Sequence, residues 1–180
     1  MLALIAAGFA VSSALRPRSE EDNGLVESLL ATGLTRRRWL LAHVTVTVLG
    51  TVAVVLCAGL GLGLGYAMVT GDTSKTGEYT LATLGYLAPV LVLAGLARLL
   101  YGLSARAAGA AWLGLVLSVM VMLFGELLQI PQWLQGLSPF EHLALVPAED
   151  FRWLPFLVLL ALAGALSAAG QWSFARRDVH

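Results

Sequence analysis

The sequence predicts an all-α polytopic membrane protein with about five transmembrane helices. A short cytosolic amphipathic helix and short external interfacial helices complete it. Three observations carry this fold class. The chain of 180 residues is 58% hydrophobic and only 12% charged, where a soluble domain is about one-quarter charged. Its apolar residues fall in long runs, not in the alternation of strands. Its basic residues are also sorted by side. Counting the polar connections alternately puts Arg16, Arg18, Arg36, Arg37, Arg38, Arg98, Arg106, Arg176 and Arg177 together and leaves only Lys75 and Arg152 opposite. That bias predicts a cytosolic C-terminus.

The first run, Met1–Leu15, makes a helix of roughly 22 Å, short of the ~30 Å hydrocarbon core. It reads as a truncated span whose start lies upstream, so residues 1–180 form one transmembrane domain expected to lack its first span. Residues 16–38 follow as the one long polar segment, with nine charges in 23 residues. Ser19 can cap a helix there, with Asp22 three residues on. Glu20, Glu21 and Asp22 then lie at the positive end of its dipole. Leu25, Val26, Leu29 and Leu30 form an apolar stripe, and Gly33 can end the helix. A solvated amphipathic loop with no partner is the alternative reading. Thr35 can cap the next helix.

Trp39–Thr70 would be roughly 48 Å long as one helix, so it must tilt, bend or project beyond the bilayer. Gly59, Gly61, Gly63 and Gly65 alternate near its end. No strand precedes them and no basic residue follows, so a phosphate loop is excluded. The pairs Gly59/Gly63 and Gly61/Gly65 suit close helix packing in lipid, and a kink is the other reading. Gly71–Glu78 is a polar turn. Tyr79–Ala97 is the third run, Arg98–Arg106 the next loop and Ala107–Ile130 the fourth run. Residues 129–152 contain Pro131, Pro139 and Pro147, and fit an external or re-entrant segment. Trp153–Ala169 is the last run, with Pro155 acceptable in its first turn. All five tryptophans fall near span ends, as an aromatic belt would.

The chain offers little for catalysis. No Walker A loop, HExxH or clustered nucleophile is present, and neither a cofactor nor a metal is expected. Glu141 and His142 are adjacent on an external loop without further ligands. Cys57 is the single cysteine and reads as inert packing. Arg98 is expected to snorkel to the cytosolic surface. Glu126 is the one acid within an apolar run; it either lines a substrate path or reaches water at the outer end of its span.

The segment EEDNGLVESLLATGLTRRRWLLAH resembles the cytosolic connection between the second and third spans of ABC-2-type exporter permeases. It is most similar to the actinobacterial group of polyketide-antibiotic, tetronasin-type exporters. The shared features are the acids Glu20, Glu21 and Asp22, then Gly24, Glu27, Leu30–Ala31 and Arg38–Trp39. SPFEHLALVPAED and the closing FARRDV are similar to that group's C-terminal pattern. The resemblance implies a permease subunit, or its C-terminal part, in a bacterial plasma membrane. A separate ABC ATP-binding subunit would hydrolyse ATP, and the cargo would be small and apolar or antibiotic-like. A helix Glu20–Ala31 would couple the two, carried by Glu20, Glu21, Asp22, Gly24, Leu25, Glu27, Leu29 and Leu30. A second permease half or a homodimer partner is implied, with membrane lipid around it and no nucleic acid. The competing class is a non-transporting membrane anchor or assembly component.

Overall fold

A computed structural model describes residues 1–24, 35–125, 131, 135–143 and 151–176. The regular secondary structure in this range is all helical. Helix α1 is Leu2–Ala14, α2 is Arg16–Asp22 and α3 is Arg36–Thr70. Helices α4 (Thr76–Leu84) and α5 (Leu87–Leu103) follow, then α6 (Ala111–Phe124) and α7 (Trp153–Ala175). Short 3-10 turns occupy Ala107–Ala110 and Pro139–His142. Among the described residues, four stretches are long and apolar enough to cross a membrane: Arg38–Thr70, Thr76–Leu103, Ala107–Phe124 and Trp153–Ala175. Helix α1, with 13 residues, falls below that length.

Helix α1 nevertheless occupies the centre. Ala3, Ala6, Ala7, Ala10 and Ala14 are buried with Leu4 and Val11, against α3, α5 and α6. Lipid supplies no hydrophobic drive between helices, so small side chains that permit close approach dominate such contacts. Ser13 Oγ and Thr47 Oγ1 lie 3.0 Å apart where α1 meets α3, both buried.

Helix α3 begins as expected at Thr35, whose hydroxyl accepts from the Arg38 amide at 3.4 Å. It runs unbroken through all four alternating glycines and stops at Gly71. There φ is +73°, and the Gly71 amide donates to the Ala67 carbonyl at 2.8 Å, a left-handed stop that glycine adopts without strain. At about 52 Å, α3 exceeds the bilayer core. Only one glycine pair packs. A Cβ on Gly59 would stand 3.0 Å from Thr80 Cα, and one on Gly63 would stand 2.9 Å from Thr76 Cα, whereas Gly61 and Gly65 meet nothing within 4 Å. Gly59 and Gly63 thus seat α4 against α3, and Gly61 and Gly65 face outward.

The tightest packing was not anticipated from the sequence. Helices α5 and α7 lie against each other along most of their length. Gly102 and Gly170 meet backbone to backbone, and a Cβ on Gly95 would stand 2.8 Å from the Ala163 carbonyl oxygen. Gly95 and Gly102 are seven residues apart, as are Ala163 and Gly170. Two heptad-spaced small positions on each helix let them run side by side with near-parallel axes.

Other expectations need correction. The loop Arg98–Arg106 shrinks to Ser104–Arg106, because α5 continues to Leu103. The third run divides at Gly85–Tyr86 into α4 and α5. Cys57 is exposed on the outer face of α3 and is not packed within the chain. Trp112, Trp153 and Trp172 are exposed, but Trp39 is buried. Phe140, from the 3-10 turn, plugs into the core beside α1.

Candidate functional site

At one end of the bundle the polar segment folds back onto the helices. Pro17 opens α2 at a position where its missing amide costs nothing. The helix therefore starts before Ser19, which is internal and not the expected cap. It ends at Asp22, and Gly24 follows with φ of +68°. The acids consequently occupy the last turn of α2 instead of a first turn, and the helix carrying them does not extend from Glu20 to Ala31. Leu25, Glu27, Leu29 and Leu30, with the helix end assigned to Gly33, lie outside the described residues, as does Glu126.

Acids at a helix C-terminus are disfavoured by the dipole, by about 0.3–1 kcal/mol when exposed. Tertiary bonds outweigh this. Glu20 Oε2 accepts from the Trp39 indole N–H at 3.0 Å, and Glu20 Oε1 lies 3.0 Å from His43 Nε2. The Tyr101 hydroxyl donates to Glu21 Oε2 at 2.6 Å. Hydrogen bonds to charged groups contribute about 1.5–3 kcal/mol each. His43 Nδ1 lies 3.1 Å from the Trp39 carbonyl. The ring thus faces an acceptor oxygen at each nitrogen. Asp22 differs: it faces water and meets Arg18 at 3.6 Å, a pairing that adds little.

Behind the glutamates stands an aromatic wall. Trp39, Tyr101 and Phe174 are buried with Ala108. Tyr101 stacks on Phe174 with centroids 5.4 Å apart, and Trp39 lies 6.1 Å from the same ring. One phenylalanine of α7 thus touches residues of α3 and α5, and α2 is pinned to both. The described basic residues Arg16, Arg18, Arg38, Arg106 and Arg176 gather towards this end, and Lys75 and Arg152 lie towards the other.

Arg98 lies deeper, and the snorkelling expectation is overturned. It is 8% exposed. Its Nη1 donates to Ser167 Oγ of α7 at 3.1 Å, and its buried Nη2 has no partner among the described residues. It borders a cleft of about 320 Å³ between α3 and α7. The sequence signal was present but misjudged: Arg98 is flanked by apolar residues on both sides, so the run continues past it.

Comparison with known proteins follows this geometry. Residues 1–175 match the family described as the C-terminal domain of the multidrug efflux system permease Rv1217c. The chain is 37% identical over 180 residues to the multidrug efflux system permease protein Rv1217c of Mycobacterium tuberculosis. That alignment takes in 99% of the chain and 33% of the relative, so the chain spans about a third of the length of the curated relative it matches. A buried alanine-rich helix, glycine-spaced membrane helices and a polar segment clamped to one end are thus features of a chain that belongs to the family of multidrug efflux permease C-terminal domains.

Proposed function

We propose that this chain is the C-terminal membrane domain of an ATP-driven ABC-2-type exporter permease of the tetronasin-type group. The α2 end and the C-terminus face the cytosol of a bacterial plasma membrane. The segment from Arg16 to Arg38 docks on a separate ATP-binding subunit and transmits its closure to the helices. The cargo is small and apolar or antibiotic-like, and a second permease half or a second copy completes the path. Residues 129–152 close the outer side.

The observation that carries this reading is the double attachment of α2. Glu20 binds α3 and Glu21 binds α5, so a pull on the polar segment reaches two long helices without slack. The acids therefore divide their work. Glu20 and Glu21 hold the segment to the bundle, and exposed Asp22 with the residues after Gly24 is left for the ATPase. The sorting of basic residues supports the orientation, and it survives removal of buried Arg98 from the cytosolic set. The relative's name as an efflux permease supports transport.

Charge reversal at Asp22 and Glu27 tests the assignment. Co-purification of the ATP-binding subunit with the Asp22→Lys, Glu27→Lys chain should be lost while membrane insertion persists. Undiminished co-purification would remove this segment from coupling.

A further inference from the structure

We propose that the cleft between α3 and α7 is a binding site for the anionic headgroup of an amphipathic molecule, with Arg98 as its receptor. Arg98 is nine-tenths buried, and one guanidinium nitrogen is spent on Ser167 while the other points to no partner among the described residues. A buried cation without a counter-ion is costly, and within a membrane span it marks a functional position. No Asp or Glu lines this cleft among the described residues, so the charge is left for something that enters.

The shape of the cleft sets the rest of the ligand. Its volume is about 320 Å³, at the small end for ligand pockets. Leu91 precedes Arg98 by seven residues on α5, and Leu160 precedes Ser167 by seven on α7. Seven residues of helix rise about 10 Å. A polar end of Arg98, Ser167 and Gln171 is thus joined to an apolar end of Leu91 and Leu160. The α7 wall is lowered at Gly164, which is exposed and has open space where a Cβ would stand. A carboxylate or phosphate fits the guanidinium by paired N–H donors, and a short hydrocarbon tail fits the leucines. The site selects for charge at one end and length at the other.

The test needs no ATPase, so it can fail without touching the coupling assignment, and the reverse also holds. The chain is placed in phosphatidylcholine nanodiscs and titrated with radiolabelled decanoate, with decanol as the uncharged match. Decanoate should bind saturably and decanol should not. Arg98→Gln should weaken decanoate binding roughly 10- to 100-fold, the range of a hydrogen bond to a charged group, and Arg98→Lys should keep part of it. Gly164→Leu fills the cleft and leaves the Arg98–Ser167 bond in place; it should also abolish binding, which guards against a folding defect in the arginine variant. Competition by phosphatidylglycerol in the discs assigns the site to a lipid phosphate. Persistence of decanoate binding against that lipid assigns it to a free amphiphile. Equal binding of decanoate and decanol, or unchanged affinity in either Arg98→Gln or Gly164→Leu, would overturn the proposal.

Discussion

The glycines give a graded test of the packing, because one substitution has opposite consequences at different positions. Ala at Gly102 places a methyl against the Gly170 backbone. Backbone cannot turn aside as a side chain can, so α5 and α7 must separate along a shared face. Overpacking costs typically about 1–3 kcal/mol, and a backbone wall puts this case near 3. Ala at Gly61 meets nothing within 4 Å, and replacing a mid-helix glycine by alanine gains up to about 1 kcal/mol. The two variants should therefore differ by about 4 kcal/mol, or roughly 8–16 °C in melting temperature for a chain of this size. Gly95→Ala, 2.8 Å from a carbonyl, and Gly59→Ala, 3.0 Å from a backbone carbon, should fall between. Thermal unfolding in detergent, followed by far-UV circular dichroism, reads the order. If Gly102→Ala melted within about 2 °C of Gly61→Ala, the α5–α7 contact described here would be wrong.

Three further outcomes are expected. Glu20→Ala removes the bonds to both Trp39 and His43 and should lose at least about 1.5–3 kcal/mol of unfolding free energy, and its effect should be less than additive with Trp39→Phe, because both remove the indole bond; additive losses would show that the pair does not interact. The Asp72 carboxyl is held below its ordinary range by the Ser74 hydroxyl and the Ser74 amide, the latter at 2.9 Å. A depressed carboxylate contributes stability above its ordinary range and loses it as pH falls through its folded value. Protection of the Ser74 amide from hydrogen exchange, taken relative to the intrinsic rate at the same pH, should accordingly fall on acidification, and Asp72→Ala should remove that response; an unchanged response would discard the turn. Cys57 should react with a lipid-soluble maleimide and not with a membrane-impermeant one, and aqueous labelling would contradict the placement of α3 across the bilayer.

Much of the fold was legible because bilayer thickness imposes long apolar runs, and those show in sequence without any partner. The caps at Thr35 and Gly71 were readable or nearly so, since their chemistry is local. What escaped was pairwise. Nothing local distinguishes Gly95 and Gly102, which touch α7, from Gly61 and Gly65, which touch nothing. The alternating glycines were conspicuous, and the heptad-spaced ones mattered more. Arg98 was read by its charge as a boundary, although the apolar run continues to Leu103. In the candidate coupling segment, Glu20, Glu21 and Asp22 close a helix that begins at Arg16, where a helix capped by Ser19 was expected. An acid beside an unformed helix looks solvent-facing until Trp39, His43 and Tyr101 arrive from other elements. Pro17 was the local clue that the helix starts earlier.

The one-residue break at Leu15 between α1 and α2 looks like an elbow, but the glutamates deny it free play. With Glu20 tied to α3, bending there would have to tear indole and imidazole from their carboxylate. Ser13 fastens α1 to the same helix, at Thr47, about one turn deeper along α3. A pull on α2, were it the coupling element proposed above, would therefore move the first three helices together. Among the described residues α3 and α7 touch only sparsely, and Arg98 of α5 borders the cleft that this leaves between them.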